Sequence, residues 1–475
     1  MSSASLHEKL RTGARWVILS RIVGIGATLA TNILAARLLG PSEFGTFLFL
    51  MTVISFGSIL AMAGLNEAGL RFASETLALG KVALARRYLQ QIIRVVGIAS
   101  VVAALVTAVS ISAYELQSGS LESALPIAAV VGLGVLALAW QQLAAESLRG
   151  WQELRFASLF SGGQAGGPIS NVLFLAALCV VALKAPGLSA VTTIGLSVAA
   201  VWITLPIVWS CVQRVTSAVR CEQTEAALAG EQAPTKVAQP KSTWQLASIG
   251  LALMMIQLLA FGSQQFDIWI GDAMLEQESL GLYGAAKRCL LISAMPVQMA
   301  MLSVVSSISH LYARGERKQL ERVLRTSAGL AALPSLAALA LLVIMPETVL
   351  RLVFGGSYSG ASQIVLILAA GHLVLVLCGN PVHTLAMTGH HRLALIVNLL
   401  AAIVLVAVGT VGARLYGAVG LAAGSAASLA TQNILLWWLA HRYVGVWTHA
   451  AFPAWPFHRP PMAPESTAAI TMNET

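Results

Sequence analysis

A chain of 475 residues that is 57% hydrophobic and only 10% charged cannot clothe an ordinary soluble surface, where roughly a quarter of residues are charged. The net charge of +9 does not point to nucleic acid, because the cations sit in short breaks between apolar runs rather than on one soluble face. The five cysteines show no CxxC spacing and fall mostly inside apolar runs, where small apolar packing is their role.

The N-terminus, "MSSASLHEKLRTGARWVILSRIVGIG", is a basic segment followed by a full-length apolar run without a small-residue cleavage site, so it reads as an uncleaved first helix. Apolar runs near the roughly 20 residues needed to cross a bilayer then recur along the chain. They predict an all-α integral membrane protein of about twelve transmembrane helices, at 16–36, 45–69, 92–113, 124–146, 157–183, 189–213, 244–271, 281–309, 326–346, 362–388, 393–413 and 418–441. An even number of spans puts both termini on one side. Of the 29 Lys and Arg, 22 fall on that side and only Arg37, Lys184, Arg351 and Arg414 on the other, which makes the termini cytoplasmic by the positive-inside rule. Three cations, Arg21, Lys287 and Arg288, remain inside spans.

The longest connection, 214–243, contains "CEQTEAALAGEQAPTKVAQPKS" and reads as a flexible cytoplasmic linker. It divides the chain into a six-helix N-terminal lobe, 1–213, and a six-helix C-terminal lobe, 244–443. A Pro-containing tail, 444–475, is expected to touch the membrane interface through its Trp residues and then to be disordered. An internal repeat crosses the linker. "SETLALGKVALARRYL" from Ser74 resembles "SHLYARGERKQLERVL" from Ser309, setting Gly80 against Gly315 and Arg87 against Arg322. "PSEFGTF" likewise resembles "QESLGLY", with Gly45 against Gly281 and Phe47 against Tyr283. Two halves with six spans each are parallel repeats, a plan that transporters use with substrate between rocking halves.

No loop has room for a soluble catalytic domain, and the chain carries no GxxxxGK[ST], no HExxH and no Cys/His metal spacing. The expectation is a protein that is not an enzyme and takes no cofactor or metal.

"ILAARLLGPSEFGTFLFLMTVISFGSILAMAGLNEAGLRFASE", Ile33 to Glu75, resembles the start of the polysaccharide transporters, the O-antigen flippase branch of the multidrug/oligosaccharidyl-lipid/polysaccharide (MOP) exporter superfamily. "LRGWQELRFAS", "SLGLYGAAKR" and "LYGAVGLAAGSA" are similar to later segments of that family. The resemblance implies two six-helix lobes in a V around a central cavity. It also implies movement of polyprenyl-diphosphate-linked oligosaccharide between leaflets of a bacterial inner membrane by alternating access. Membrane lipid, H+ or Na+ as coupling ion, and polysaccharide assembly proteins follow as expected partners. Three rivals are a drug or metabolite cation antiporter of the same superfamily, a membrane glycan polymerase or ligase, and a lipid-linked peptidoglycan precursor flippase.

An anionic lipid headgroup crossing a charge-excluding layer needs a polar or cationic cavity, and a mid-membrane cation costs roughly 2.5 to 3.5 kcal/mol unless compensated. Arg288, Lys287 and Arg21 are therefore the candidate substrate-binding cations, an Arg offering bidentate donation to phosphate and a Lys a point charge. The competing assignment is ion pairing, of Asp267 with Lys287 or Arg288 and of Glu67 with Arg21; the same two carboxylates are the candidates for ion coupling. Adjacent helical positions differ by about 100°, so Lys287 and Arg288 need not share a role. Pro296, later in the same span, is a candidate hinge. His372 reads as a packed, hydrogen-bonded histidine, and most intramembrane Gln and Asn, among them Gln141, Gln164, Asn171, Gln257, Gln264 and Gln298, as interhelical hydrogen-bonding groups.

Overall fold

The computed structural model describes residues 3–117, 121–162, 166–184, 187–228, 243–379 and 381–451. The second half of the expected linker (229–242), the tail beyond 451 and Gln164 lie outside the described residues. Helices α1 (Ser3–Met62), α2 (Leu65–Ala78), α3 (Val82–Gln117), α4 (Leu121–Gly150), α5 (Leu154–Phe160), α6 (Pro168–Lys184) and α7 (Ala190–Leu228) precede the linker. After it come α8 (Thr243–Met274), α9 (Gln277–Ala313), α10 (Arg317–Ile344), α11 (Pro346–Val353), α12 (Ser362–Cys378), α13 (Pro381–Met387) and α14 (His391–Leu439). No strand occurs among the described residues.

Eight of these helices are long and apolar enough to cross a membrane. Two of the eight are double: α1 breaks at Gly40 (φ 75°) and α14 at Gly417 (φ 60°). Separating their halves and adding α6 and the charge-bearing α9 gives the twelve passes expected. Their lipid-facing sides carry exposed apolar residues such as Ile98, Leu105, Val109, Ile203, Leu330 and Ile403, which water would not tolerate as one continuous belt.

Three expected boundaries move, each at a residue that ends a helix. The second span stops at Met62 because Ala63 and Gly64 take positive φ, and α2 is a separate helix. The fifth starts at Pro168, the residue suited to a first helical turn, with α5 a separate short helix before it. The tenth ends at Cys378, where Gly379 (φ 73°) and Pro381 interrupt it. Beyond the sixth span, α7 continues through the first half of the expected linker to Leu228. The start of the tail is packed on the second lobe. Thr448 donates to Cys378 O (2.8 Å), and the Ala450 and Ala451 amides donate to Leu377 O and Arg325 O, while Val444 and Val446 are fully buried.

The sequence repeat is a structural repeat. At the end of α2, the amides of Leu79, Gly80 and Lys81 donate to the carbonyls of Glu75, Leu77 and Thr76; at the end of α9, those of Arg314, Gly315 and Glu316 donate to the carbonyls of His310, Tyr312 and Leu311 in the same register. Gly80 and Gly315 take φ 69° and 74°, a left-handed conformation that closes the helix at no Cβ cost. The second matched pair lies where the lobes meet. A Cβ on Gly45 would overlap Gln277 O, and a Cβ on Gly281 would overlap Pro41 O. Since Pro41 and Gln277 are themselves equivalent in the repeat, the contact is reciprocal, as a pseudo-two-fold axis requires. Phe47 and Tyr283 are buried beside it.

Helices α1–α7 pack on one another and α8–α14 on one another, and α1–α9, α1–α8 and α2–α8 join the two lobes. One large apolar core runs across both lobes and includes Phe44, Phe47, Leu48, Leu280, Tyr283 and Tyr358, towards the end of the molecule marked by Gly40. Towards the other end, marked by the Gly80 and Gly315 turns, Ile308, Leu320, Leu385 and Leu436 form a core within the second lobe, and Leu148, Phe160 and Val212 one within the first. The lobes are thus joined by a large shared core near the Gly40 end; near the basic end each lobe has a core of its own, and a smaller one joins them where Leu246 of α8 packs with Leu65, Phe72 and Tyr88 of the first lobe.

Candidate functional site

Between those separate cores lies a cleft enclosing ≈ 790 Å³, open surroundings included. One wall is a helical face of α1 with Ser20, Arg21, Gly24, Thr28 and Asn32; the second is the α5–α6 region with Ser158, Ser161, Pro168 and Asn171; the third is α9 with Arg288, Leu291, Met295 and Gln298. The α1 positions recur every three to four residues, which aligns them along one side of a helix. Arg21 and Arg288 thus face one cleft from different lobes. No carboxylate is among the lining residues.

The neighbouring cations Lys287 and Arg288 are separated by the turn of α9. Lys287 Nζ donates to both carboxylate oxygens of Asp267 (2.8 and 2.7 Å) and to Gln264 O (2.6 Å). The Tyr283 hydroxyl donates to the same carboxylate at 2.5 Å, and the Ile268 amide at 3.0 Å. Asp267, 2% exposed, therefore has its acceptor positions filled by Lys287, Tyr283 and its neighbouring amide. One carboxylate faces two cations, and its hydrogen bonds go to Lys287. Arg288, half-buried, makes no hydrogen bond or ion pair with a described residue and is the surplus charge at the cleft wall.

At the other wall, Arg21 is exposed to the cleft and makes no ion pair with Glu67 among the described residues. Glu67 instead accepts a 2.9 Å hydrogen bond from Gln257 of the second lobe. Glu146, a carboxylate that sequence reasoning passed over, lies within electrostatic range of Arg21 and Glu67 and pairs with Arg149 at 2.8 Å. Its signal was its place at the end of the fourth span, three residues before an arginine. Pro296 sits inside α9, which runs through it without non-helical backbone. Pro168, one of the prolines that interrupt apolar runs in the sequence, is the proline at the cleft wall and begins α6. His372 bonds Leu368 O at 3.0 Å, and Gln141 bonds Ser170 (2.8 Å) and Thr204 (2.9 Å) within the first lobe, so both serve packing. Asn171, although at the wall, donates to Gly167 O at 3.0 Å. No group of His, Cys, Asp and Glu suited to a metal ion occurs among the described residues.

Twelve passes in two lobes, related by a parallel repeat around a cleft, define a multi-pass membrane protein with the fold of MOP-superfamily transporters. The fold is similar to an inward-facing multidrug resistance MATE family transporter of that superfamily, at 14% identity over 88% of this chain and 94% of that one, with a TM-score of 0.63. It is similar to the lipid II flippase MurJ in an inward closed conformation, at 12% identity over 90% and 87% of the two chains, with a TM-score of 0.56. A MOP superfamily transporter from Pyrococcus furiosus, described as having a binding pocket of reverse polarity, matches at 13% identity over 91% and 94%, with a TM-score of 0.51. Such identities carry the fold. No curated protein sequence matches. The model of the polysaccharide biosynthesis protein family matches residues 10–306, more than half of the chain, and the chain belongs to that family.

Proposed function

We propose that the protein is a flippase that carries polyprenyl-diphosphate-linked oligosaccharide across a bacterial inner membrane for polysaccharide biosynthesis, by alternating access and without enzymatic chemistry. The observation that carries this reading is the arginine pair, Arg288 and Arg21, facing one cleft from opposite lobes while the adjacent Lys287 is consumed by Asp267. A cleft with surplus positive charge and no lining carboxylate suits an anionic cargo and disfavours a cationic drug. The basic end is cytoplasmic by its excess of Lys and Arg, and the cleft lies on that side of the lobe junction, which is the loading side of the reaction. The diphosphate is captured by the two guanidinium groups, sugar hydroxyls meet Ser158, Ser161 and Gln298, and rocking of the lobes about the Gly45–Gly281 seam releases the cargo outward. Of the two candidate ion-coupling carboxylates, Asp267 has its acceptor positions taken by Lys287 and Tyr283, which leaves Glu67 as the one through which H+ or Na+ would bias the cycle, and polysaccharide assembly proteins are the partners that receive the product.

Leaflet accessibility of a labelled polyprenyl-diphosphate oligosaccharide in proteoliposomes tests the reading. The parent chain is expected to move it, and Arg288→Ala and Arg21→Ala to slow it. No movement by the parent of any diphosphate-linked glycan overturns the proposal.

A further inference from the structure

A second, wholly different hollow abuts the cleft. It encloses ≈ 620 Å³, open surroundings included, and is walled by Leu19, Ser20 and Val23 of α1, Leu159 of α5, and Pro168, Ile169, Val172 and Leu173 of α6. Ser20 is its only polar side chain, and Ser20 is 3% exposed. Ser20 and Pro168 also line the cationic cleft, so they form a shared rim between the two spaces. On the far side of that rim, Leu19, Val23 and Val172 are each 45 to 53% exposed and face the lipid phase. The rim is thin because α1 has Gly24 against Pro168; a Cβ there would come 2.9 Å from the proline ring.

We propose that this groove holds the first isoprene units of the polyprenyl chain while the diphosphate occupies the cleft, a reading that rests on the function proposed above. The occupant follows from continuity. A diphosphate bound near Arg21 carries its tail covalently attached, and the tail must leave the cleft where polar walls end. At the Ser20–Pro168 rim the surface changes from cationic to wholly apolar within one helical turn of Arg21. A flexible isoprenoid gains by filling a preformed concave apolar surface over lying against a convex helix. The groove also has a mechanical merit. All of its walls belong to the first lobe, so rocking of the second lobe leaves its shape unchanged, and the tail stays docked while the headgroup changes exposure.

The test uses the full chain in proteoliposomes with a polyprenyl diphosphate oligosaccharide carrying a diazirine near the head of its tail. After photolysis, crosslinks mapped by mass spectrometry are expected to fall several-fold more often on the 19–23 and 169–173 segments than around Val180, an equally lipid-exposed position further along α6. Even labelling of the two regions, or the same labelling pattern from a diazirine phospholipid, means the groove holds bulk acyl chain and overturns the proposal. Transport provides the second arm. Val172→Trp fills the groove and is expected to remove the advantage of a long-tailed substrate over a ten-carbon analogue bearing the same headgroup, while movement of the short analogue continues and shows the variant folded. Val180→Trp is expected to change neither. If the parent moves the glycan lipid but Val172→Trp treats both tail lengths as the parent does, the groove assignment falls and the flippase reading stands. If the parent moves neither substrate, the flippase reading itself falls.

Discussion

Arg288 and Lys287 are neighbours in sequence with opposite fates, and the difference lies in a single carboxylate. Asp267 accepts from Lys287 and from the Tyr283 hydroxyl, so the ammonium is compensated and the guanidinium is not. Removing one partner of a buried pair leaves an unpaired charge, at a cost of about 3–5 kcal/mol, whereas removing both often costs little. Asp267→Asn is therefore expected to lower thermal stability in detergent sharply, and Asp267→Asn with Lys287→Met to restore most of it. A double variant as unstable as the single one would mean that the pair is not the unit. Arg288→Ala should leave stability close to the parent, because no described residue loses a hydrogen-bond partner. On the function proposed above its effect falls on transport, where losing a charge-assisted hydrogen bond worth about 1.5–3 kcal/mol is expected to slow uptake by about 10- to 150-fold. Arg288→Lys should recover part of this, since a point charge replaces a fork. The sequence shows that three cations fall inside spans and that one acid is placed to meet two of them. Which cation it takes depends on the rotation of α9 against α8, and helical periodicity within α9 alone does not contain that angle.

At the scale of elements, the matched glycines carry the most information. Gly80 and Gly315 end their helices with the same hydrogen-bond register, and Gly45 and Gly281 let the backbones of α1 and α9 touch reciprocally. Gly281→Leu forces a side chain into the Pro41 carbonyl on the other lobe and is expected to separate the lobes at the Gly40 end. Gly80→Leu strains only a turn, by roughly 1 kcal/mol for a left-handed non-glycine residue, and is expected to leave the lobes in place. Distance measurements between spin labels on α3 and α10 distinguish the two; an unchanged distribution in Gly281→Leu would remove the seam from the mechanism. Both glycine pairs, and nearly all spans, were legible in sequence because apolar length and turn chemistry are local. Pro168 and Pro381 read in sequence as interruptions that kink a helix; what was not legible is that the chain breaks there, and at Gly64, into separate helices. The second, fifth and tenth passes end or begin at Gly64, Pro168 and Gly379, inside runs whose hydropathy continues across the break. The break before Pro168 matters most, since it opens the α5–α6 corner that supplies one wall of the cleft.

For the whole molecule, the closed Gly40 end is held by polar bonds that cross between lobes over an apolar core. Arg37 donates to the carbonyls of Val353 (2.8 Å) and Leu352 at the end of α11, where helical carbonyls lack partners and carry partial negative charge. Tyr358 donates to Ala36 O at 2.9 Å, Trp269 to Thr52 at 2.8 Å, and Tyr114 to Asp272 at 2.9 Å. Each bond ties the lobes together at this end, so in the proposed alternating cycle opening this end breaks it, and together the bonds weight the equilibrium between cleft-open and oppositely open states without touching the cargo. Arg37→Ala with Tyr114→Phe deletes the Arg37 contacts and the Tyr114–Asp272 bond, leaving the core intact. At about 0.5–1.5 kcal/mol for each of the two lost ties, the closed state should lose about 1–3 kcal/mol relative to its counterpart, a shift of about 5- to 150-fold in the ratio of the two. A cysteine placed at Met295 of the cleft reads this directly. Impermeant thiol reagent added at the basic, cleft-side face should label it more slowly in the double variant, and reagent at the opposite face faster. Binding of the proposed diphosphate lipid at the cleft should weaken in proportion, because only the cleft-open fraction is competent to load. If labelling from both faces stays as in the parent, the lobes are held by the apolar seam alone and the polar ties are dispensable to the cycle.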